Sequence, residues 1–206
     1  MPVPAKRRRP PAPPPPPAAE TRDRVLDAAV RLFVRRGYFN TSIPDLVRES
    51  GVSVGSIYHH FGGKRDVAEV VYRETTDRFL ARMRERAAPE RTVEGKLRAL
   101  TGLIYEACEE APERLEYMLF VSHTEISSDA LPVCLSAPFQ AVTAWIEEGA
   151  RRGEVEKGAP EVTAGVFMGA ILKLVELRLR GRIARPLPGL AAHAFRLAWR
   201  AIAAPR

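Results

Sequence analysis

Hydroxyl and imidazole side chains are concentrated in one short stretch of the sequence, just after Gly51. The candidate residues are Ser53, Val54, Gly55, Ser56, Tyr58, His59 and His60. Hydroxyl and imidazole groups donate and accept hydrogen bonds, so they can contact phosphate oxygens and base edges in a DNA groove. Gly55 would let the backbone approach a ligand closely, because it carries no side chain. These residue types suit nucleic-acid recognition, provided that one helix face carries them outward.

Two short helices would position these side chains. Ser42 is expected to cap the first helix, Gly51 to form the turn with a positive φ, and Ser53 to cap the second helix. Ile57 and Phe61 would then face inward and hold the second helix against the first. This pattern predicts a helix-turn-helix. An ordinary helical hairpin with a polar outer face remains the alternative.

The charge distribution points to the same end of the chain. Residues 1–65 contain twelve Lys and Arg against five Asp and Glu, so the whole net charge of +7 lies there and the rest of the chain is balanced. A basic module attached to a neutral remainder favours a polyanionic partner. A basic tail on a solvated surface, without a polyanionic partner, would give the same charge distribution.

The stretch from Thr21 to about Tyr72 resembles the N-terminal DNA-binding domain of the TetR (tetracycline-repressor) family. The landmarks that match are Arg36-Gly37-Tyr38, Thr41-Ser42-Ile43, Asp45-Leu46-Val47, Gly51-Val52-Ser53, the run from Gly55 to Phe61, and Lys64. The resemblance covers about a quarter of the chain and rests on about fifteen positions at fixed spacing, which is far more specific than a bare helix-turn-helix.

The resemblance implies a role for each matching polar residue. It implies phosphate contacts from Thr41 and Ser42, base contacts from Val54 and Ser56, backbone contacts from Tyr58 and Lys64, and a phosphate or base contact from His59 or His60. Two positions depart from the family pattern. Val54 is apolar and can read only a thymine methyl group or groove shape, and Pro44 removes a base contact that some relatives make.

The periodicity predicts an all-α chain in three parts. We expect a disordered Pro- and Arg-rich tail over residues 1–19, the DNA-binding domain over 20–66, and a helical domain over 67–206. Beyond Pro89, further helices are expected near residues 92–110, 112–127, 134–152, 160–181 and 188–204.

The resemblance implies that the C-terminal domain binds an effector and forms a homodimer. The apolar helix near 113–126 and its neighbours give a candidate effector set of Tyr117, Phe120, His123, Trp145 and Phe167. The last two helices give a candidate dimer set of Gly165, Gly169, Leu172, Phe195 and Trp199. In both cases the same residues could simply pack within one chain. Neither Cys108 nor Cys134 has a basic neighbour in sequence that would activate it.

The sequence contains no pattern typical of an enzyme. A P-loop, a GxSxG elbow, an HExxH motif and a CxxC motif are all missing, so we expect no catalysis, no cofactor and no metal. No apolar run approaches the length of a membrane span, so we expect a cytoplasmic protein without a membrane partner. The prediction is a DNA-binding regulator that binds a palindromic operator as a homodimer and is released by a small apolar or aromatic effector. An effector-independent dimer with a fully packed core is the alternative.

Overall fold

The computed structural model describes residues 18–121, 126 and 136–205, and its elements there are helical. The α-helices are α1 (Ala18–Arg36), α2 (Ile43–Ser50), α3 (Val54–Phe61), α4 (Lys64–Ala87), α5 (Val93–Glu110), α6 (Pro112–Phe120), α7 (Ala137–Arg152), α8 (Pro160–Leu179) and α9 (Ala191–Arg200). A 3₁₀ turn, Leu187–Leu190, leads into α9. Among the described residues, extended pairing is limited to one isolated bridge between Val155 and Ala203. The predicted all-α class is confirmed.

The N-terminal helices end where glycine permits the chain to turn. Gly37 follows α1 with φ 80°, and Gly51 follows α2 with φ 68°, as the sequence predicted for the turn. Only glycine adopts this left-handed region without a Cβ clash. Because α1 already begins at Ala18, the last two residues of the predicted tail are helical, and residues 1–17 lie outside the described residues.

The first apolar core joins α1, α2, α3 and the start of α4. Its buried members are Val25, Leu26, Ala29, Val30, Leu32, Phe33, Leu46, Val52, Ile57, Phe61, Val67, Ala68, Val71, Tyr117 and Ile126. The predicted domain boundary at residues 66 and 67 therefore falls inside α4, whose first two turns belong to this core. One continuous helix connects the N-terminal domain to everything that follows.

The second core lies among α4 to α9. Leu80 and Met83 bring the C-terminal half of α4 into it, and α5 runs through its centre with Leu97, Leu100 and Leu103 buried. Such a helix has apolar residues on several sides because other helices surround it. The sequence of α5 therefore has apolar residues at positions that face in several directions.

Two of the predicted C-terminal helices, over 112–127 and 188–204, are too long, and the other three agree with the structure to within three residues. The helix expected over 112–127 ends at Phe120, because Val121 is extended (φ −79°, ψ 135°). Ile126 is buried as a member of the first core. The helix expected over 188–204 is a 3₁₀ turn followed by α9, and α8 ends at Leu179 rather than 181.

Two kinds of feature are missing from the part of the chain that the structure describes. No helix there combines the length and the hydropathy that crossing a bilayer requires. No group of three His, Cys, Asp or Glu side chains there is arranged to hold a metal ion.

Candidate nucleic-acid interface and apolar cavity

A capping box fixes the start of α2. Ser42 Oγ accepts a hydrogen bond from the Asp45 backbone N–H at 3.3 Å, and the Asp45 carboxylate accepts one from the Ser42 N–H at 2.9 Å. The hydrogen bonds from Ser42 lower the pKa of Asp45, with smaller contributions from Arg48 and Arg36. Ser42 is exposed, so its contact with a phosphate stays a prediction that this geometry permits.

α3 has one buried and one open face. Ile57 and Phe61 are buried, as predicted, and pack with Leu46 of α2. Val54 and Tyr58 point away from this core, with 52% and 53% of their surface exposed.

The rest of the outer face of α3 is polar and open. Ser53 caps the helix, since its Oγ accepts a hydrogen bond from the Ser56 backbone N–H at 3.2 Å. Gly55 has no positive φ, and a Cβ at this position would meet nothing within 4 Å, so the fold does not require glycine there. His59 is exposed and His60 is half-buried. All seven side-chain positions predicted for this face are therefore open to solvent at least in part.

Thr41 and Lys64 have intrachain partners in this structure, and their phosphate and backbone contacts with DNA stay predictions. Thr41 is 2% exposed, and its hydroxyl donates a hydrogen bond to the Gly37 carbonyl at 2.9 Å. Lys64 Nζ donates to the carbonyls of Tyr38 and Thr41 at 2.9 and 2.8 Å and lies 4.0 Å from the centre of the Tyr38 ring. Burial lowers the pKa of Lys64. Both side chains donate to carbonyl groups of the α1–α2 loop, and the Tyr38 carbonyl also accepts a hydrogen bond from the Thr41 backbone N–H at 3.1 Å.

Two arginines that the sequence analysis did not assign lie beside the α2 N-terminus. The side chains of Arg36 and Arg48 are 55% and 70% exposed, and both pair with the Asp45 carboxylate. Two guanidinium groups share one carboxylate, so positive charge remains next to Ser42. The basic excess over residues 1–65 was the signal for such residues, although it did not locate them.

An apolar cavity of about 80 Å³ lies in the second core, between α4, α5, α6, α7 and α8. Its lining residues are Phe79, Met83, Leu100, Ile104, Leu115, Met118, Leu119, Ser136, Pro138, Phe139, Val142, Met168 and Leu172. A void of this size exceeds the space that one water molecule needs, and its lining offers few polar partners for water. It therefore suits an apolar group better than solvent.

None of the described residues in the predicted effector set lines this cavity. Tyr117 is fully buried in the first core, where its hydroxyl donates to the Ala68 carbonyl at 3.0 Å. Phe120 is 41% exposed at the end of α6, and Phe167 packs on a neighbouring ring at 6.2 Å. Trp145 is half-buried beside Lys96, and His123 lies outside the described residues. On an apolar helix, periodicity does not separate residues that fill a core from residues that line a void.

The predicted dimer residues divide into two groups. Gly165 and Gly169 are exposed on α8, and a Cβ on either would meet nothing within 4 Å. Phe195 is only 4% exposed and packs between Phe167 and Trp199, so it stabilises the chain itself, and its place in a dimer face stays a prediction. Leu172 and Trp199 are half-buried, and Leu172 also lines the cavity.

Exposed apolar residues that the prediction missed extend the face around Gly165. Val162 and Val166 on α8 are 66% and 49% exposed, and Leu197 on α9 is 53% exposed. The two valines lie with Gly165 and Gly169 at the i, i+3, i+4, i+7 spacing of one helix face, so this face of α8 can approach another helix closely.

The sequence is similar to known bacterial regulators. Residues 25–71 match the family described as bacterial regulatory proteins, tetR family. The HTH-type transcriptional regulator LmrA of Bacillus subtilis is 26% identical over 165 residues, which cover 75% of this chain and 87% of LmrA. The HTH-type transcriptional regulator SrpR of Pseudomonas putida is 41% identical over 54 residues, 26% of this chain and 25% of SrpR.

Solved structures share the fold over most of the chain. A TetR family transcription regulator from Marinobacter aquaeolei superposes with a TM-score of 0.77 at 19% identity, covering 91% of this chain and 97% of that one. The regulator FadR from Bacillus subtilis, solved in complex with stearoyl-CoA, gives a TM-score of 0.68 at 19% identity, covering 85% and 96%. At these identities the likeness establishes the fold.

Proposed function

Because this chain belongs to the TetR family of transcriptional regulators, we propose that it binds a palindromic DNA operator as a homodimer and leaves it when a small apolar effector binds. The regulators of this family are not enzymes. As a regulator of transcription it would act in the cytoplasm. The observation that carries the proposal is the outer face of α3, which holds polar side chains around a glycine that the fold does not need.

DNA contact is supported by the fixed geometry of α2 and α3. Side-chain caps define the start of both helices, and buried Leu46, Ile57 and Phe61 hold them together. A helix with fixed ends can present Ser56 and Tyr58 at constant positions, which base and phosphate contacts require. Arg36 and Arg48 add positive charge for the DNA backbone.

A homodimer is supported by the open face of α8 and α9. One short recognition helix covers few base pairs, whereas two related by a two-fold axis read two half-sites spaced by roughly 34–36 Å. Val162, Val166 and Leu197 are exposed apolar side chains that pairing would bury. Gly165 and Gly169 would allow the two helices of the dimer to approach each other closely.

An effector is supported by the cavity. A fully packed core would favour the effector-independent alternative, but the second core contains an apolar void that α4 helps to line. FadR, which shares the fold, holds an acyl thioester in its crystal structure. We therefore propose that an apolar group enters the cavity and displaces α4, whose other end packs under α3.

The proposal is tested with DNA from upstream of the protein's own gene. We expect the full chain to protect two half-sites in a footprint and to bind them more tightly than random DNA. The Ser56→Ala variant should change the preference among operator sequences. The Arg86→Gln variant, an exposed change far along α4, should bind like the wild type. Failure to prefer any upstream fragment over random DNA would contradict the proposal.

A further inference from the structure

A second hollow, of about 180 Å³, lies beside the apolar cavity, between α4, α5 and α6. Its lining residues are Thr75, Arg78, Phe79, Arg82, Ala107, Ala111, Arg114, Leu115 and Met118. Phe79, Leu115 and Met118 line both spaces, so these side chains lie between the cavity and the hollow. We call this second space the arginine groove.

Every charged side chain that lines the arginine groove is positive. Arg78, Arg82 and Arg114 project from α4 and α6, and their side chains are 66%, 42% and 27% exposed. Their carboxylate partners, Glu74, Glu110 and Asp27, are not among the lining residues. A guanidinium that already has one carboxylate partner on one side retains further N–H donors for another acceptor.

A hydroxyl group in the groove has no hydrogen-bond partner among the described residues. Thr75 Oγ1 is buried, and the described part of the chain offers it neither a donor nor an acceptor. A buried hydroxyl without a partner destabilises the fold unless something else satisfies it. An oxygen of a bound anion would do so, next to the arginine side chains.

We propose that the apolar cavity and the arginine groove form one site for an amphiphile with an anionic head. The alkyl chain would occupy the apolar cavity, and a carboxylate or phosphate would contact Arg78, Arg82, Arg114 and the Thr75 hydroxyl. This inference rests on the proposed function, because the amphiphile is the chemical class of the effector proposed there.

The same arginines connect the groove to the DNA-binding domain. Arg114 of α6 pairs with Asp27 of α1, and Glu74, which faces Arg78, pairs with Arg22 of α1. An anion in the groove competes with Asp27 for Arg114. Binding therefore weakens a contact between α1 and α6, and DNA affinity falls by the same factor by which DNA lowers ligand affinity.

The first test compares decanoate with decanol on the full chain by isothermal titration calorimetry. The two probes share an alkyl chain and differ in head-group charge. We expect decanoate to bind at least about tenfold more tightly, since charge-assisted hydrogen bonds to arginine are stronger than neutral ones. Equal affinity for the two probes would overturn the proposal, and so would the absence of binding by both. Decanoyl-CoA serves as a third probe, and its affinity relative to decanoate distinguishes a thioester from a free acid as the source of the anion.

Matched variants locate the head group. Arg78→Gln and Arg114→Gln should each weaken decanoate binding about tenfold while leaving decanol unchanged. Arg86→Gln is the control, because Arg86 lies on α4 outside the groove and pairs with Glu106. Asp27→Asn breaks the same ion pair as Arg114→Gln but keeps the guanidinium, so it should keep or strengthen decanoate binding. A loss in Asp27→Asn equal to that in Arg114→Gln would mean that the ion pair acts structurally and would overturn the proposal.

The outcome separates this inference from the proposed function. If the protein protects an operator and decanol binds as well as decanoate, only the anionic head is wrong. If decanoate binds with the expected preference and no operator is found, the ligand site stands and the proposed function fails.

Discussion

The starts of α2 and α3 in the DNA-binding domain are defined differently from those of α6, α8 and α9 in the C-terminal domain. Among the described helices of the C-terminal domain, α5 alone shares a side-chain cap, from Thr92. Ser42 and Ser53 cap α2 and α3 with side-chain hydrogen bonds. The residues at the same position of α6, α8 and α9 are Ala111, Ala159 and Leu190, which have no group that can cap. Capped helices keep their ends independently of their neighbours, whereas uncapped ones depend on packing. The first arrangement suits constant base contacts, and the second suits a domain that adjusts to a ligand.

The largest expected effect tests whether the two cores are packed equally well. Leu46→Ala removes a fully buried side chain from the first core and should lower the free energy of unfolding by about 2–5 kcal/mol. Leu119→Ala alters a half-buried residue beside an existing void, so its loss should be clearly smaller. Urea unfolding measures both. Equal losses would show that the second core is as tightly packed as the first.

Lys64 provides the next test, because its side chain binds loop carbonyls in this structure. Lys64→Met removes two hydrogen bonds to loop carbonyls. The Tyr38 carbonyl keeps the bond from the Thr41 N–H, whereas the Thr41 carbonyl loses the bond from Lys64, so the change should cost about 1–3 kcal/mol of stability. DNA affinity should fall as the α1–α2 loop loosens, but the slope of log affinity against log salt should not change. A slope that becomes shallower by about one unit would identify Lys64 as a phosphate contact.

A pair of glycines distinguishes fold from recognition within the DNA-binding domain. Gly51→Ala forces a side chain into the left-handed region and against Arg24, so we expect a loss of about 1–2 kcal/mol. Gly55→Ala meets open space within a helix and should raise stability by about 0.5–1 kcal/mol. The Gly55→Ala variant should nevertheless bind operator DNA more weakly. Thermal unfolding and fluorescence anisotropy measure the two effects, and unchanged DNA affinity would remove Gly55 from the interface.

The smallest effect addresses the caps directly. Ser53→Ala should cost about 1 kcal/mol of unfolding free energy. Ala159→Ser places a capping hydroxyl on extended backbone (φ −71°, ψ 116°) at the start of α8 and should add a few tenths to 1 kcal/mol. The two variants are compared by chemical denaturation. A null result for Ala159→Ser would indicate that packing alone already fixes the start of α8.

The same contrast explains what the sequence could predict. Ser42, Gly51 and Ser53 act through local geometry, so their identity and spacing were enough to place α2, the turn and α3. The partners of Thr41 and Lys64 could not be predicted, because they are carbonyls of a loop and a loop conformation is not encoded in periodicity.

In the C-terminal domain the sequence predicted the elements better than their contacts. Tyr117 and Phe195 were assigned to an effector site and a dimer face, yet each is buried against rings from another helix. The cavity could not be located, because its lining residues are of the same types as those that fill the core. Which apolar side chain borders a void depends on how all the helices pack together.

The length of α4 has a geometric consequence. Its 24 residues span about 36 Å, with Lys64 at one end and Met83 beside the cavity near the other. A rigid rod of that length that tilts by about 5° about its cavity end moves its far end by about 3 Å, close to the rise of one base pair. A small tilt of α4 at the cavity would thereby shift the DNA-binding end by about one base pair relative to the double helix.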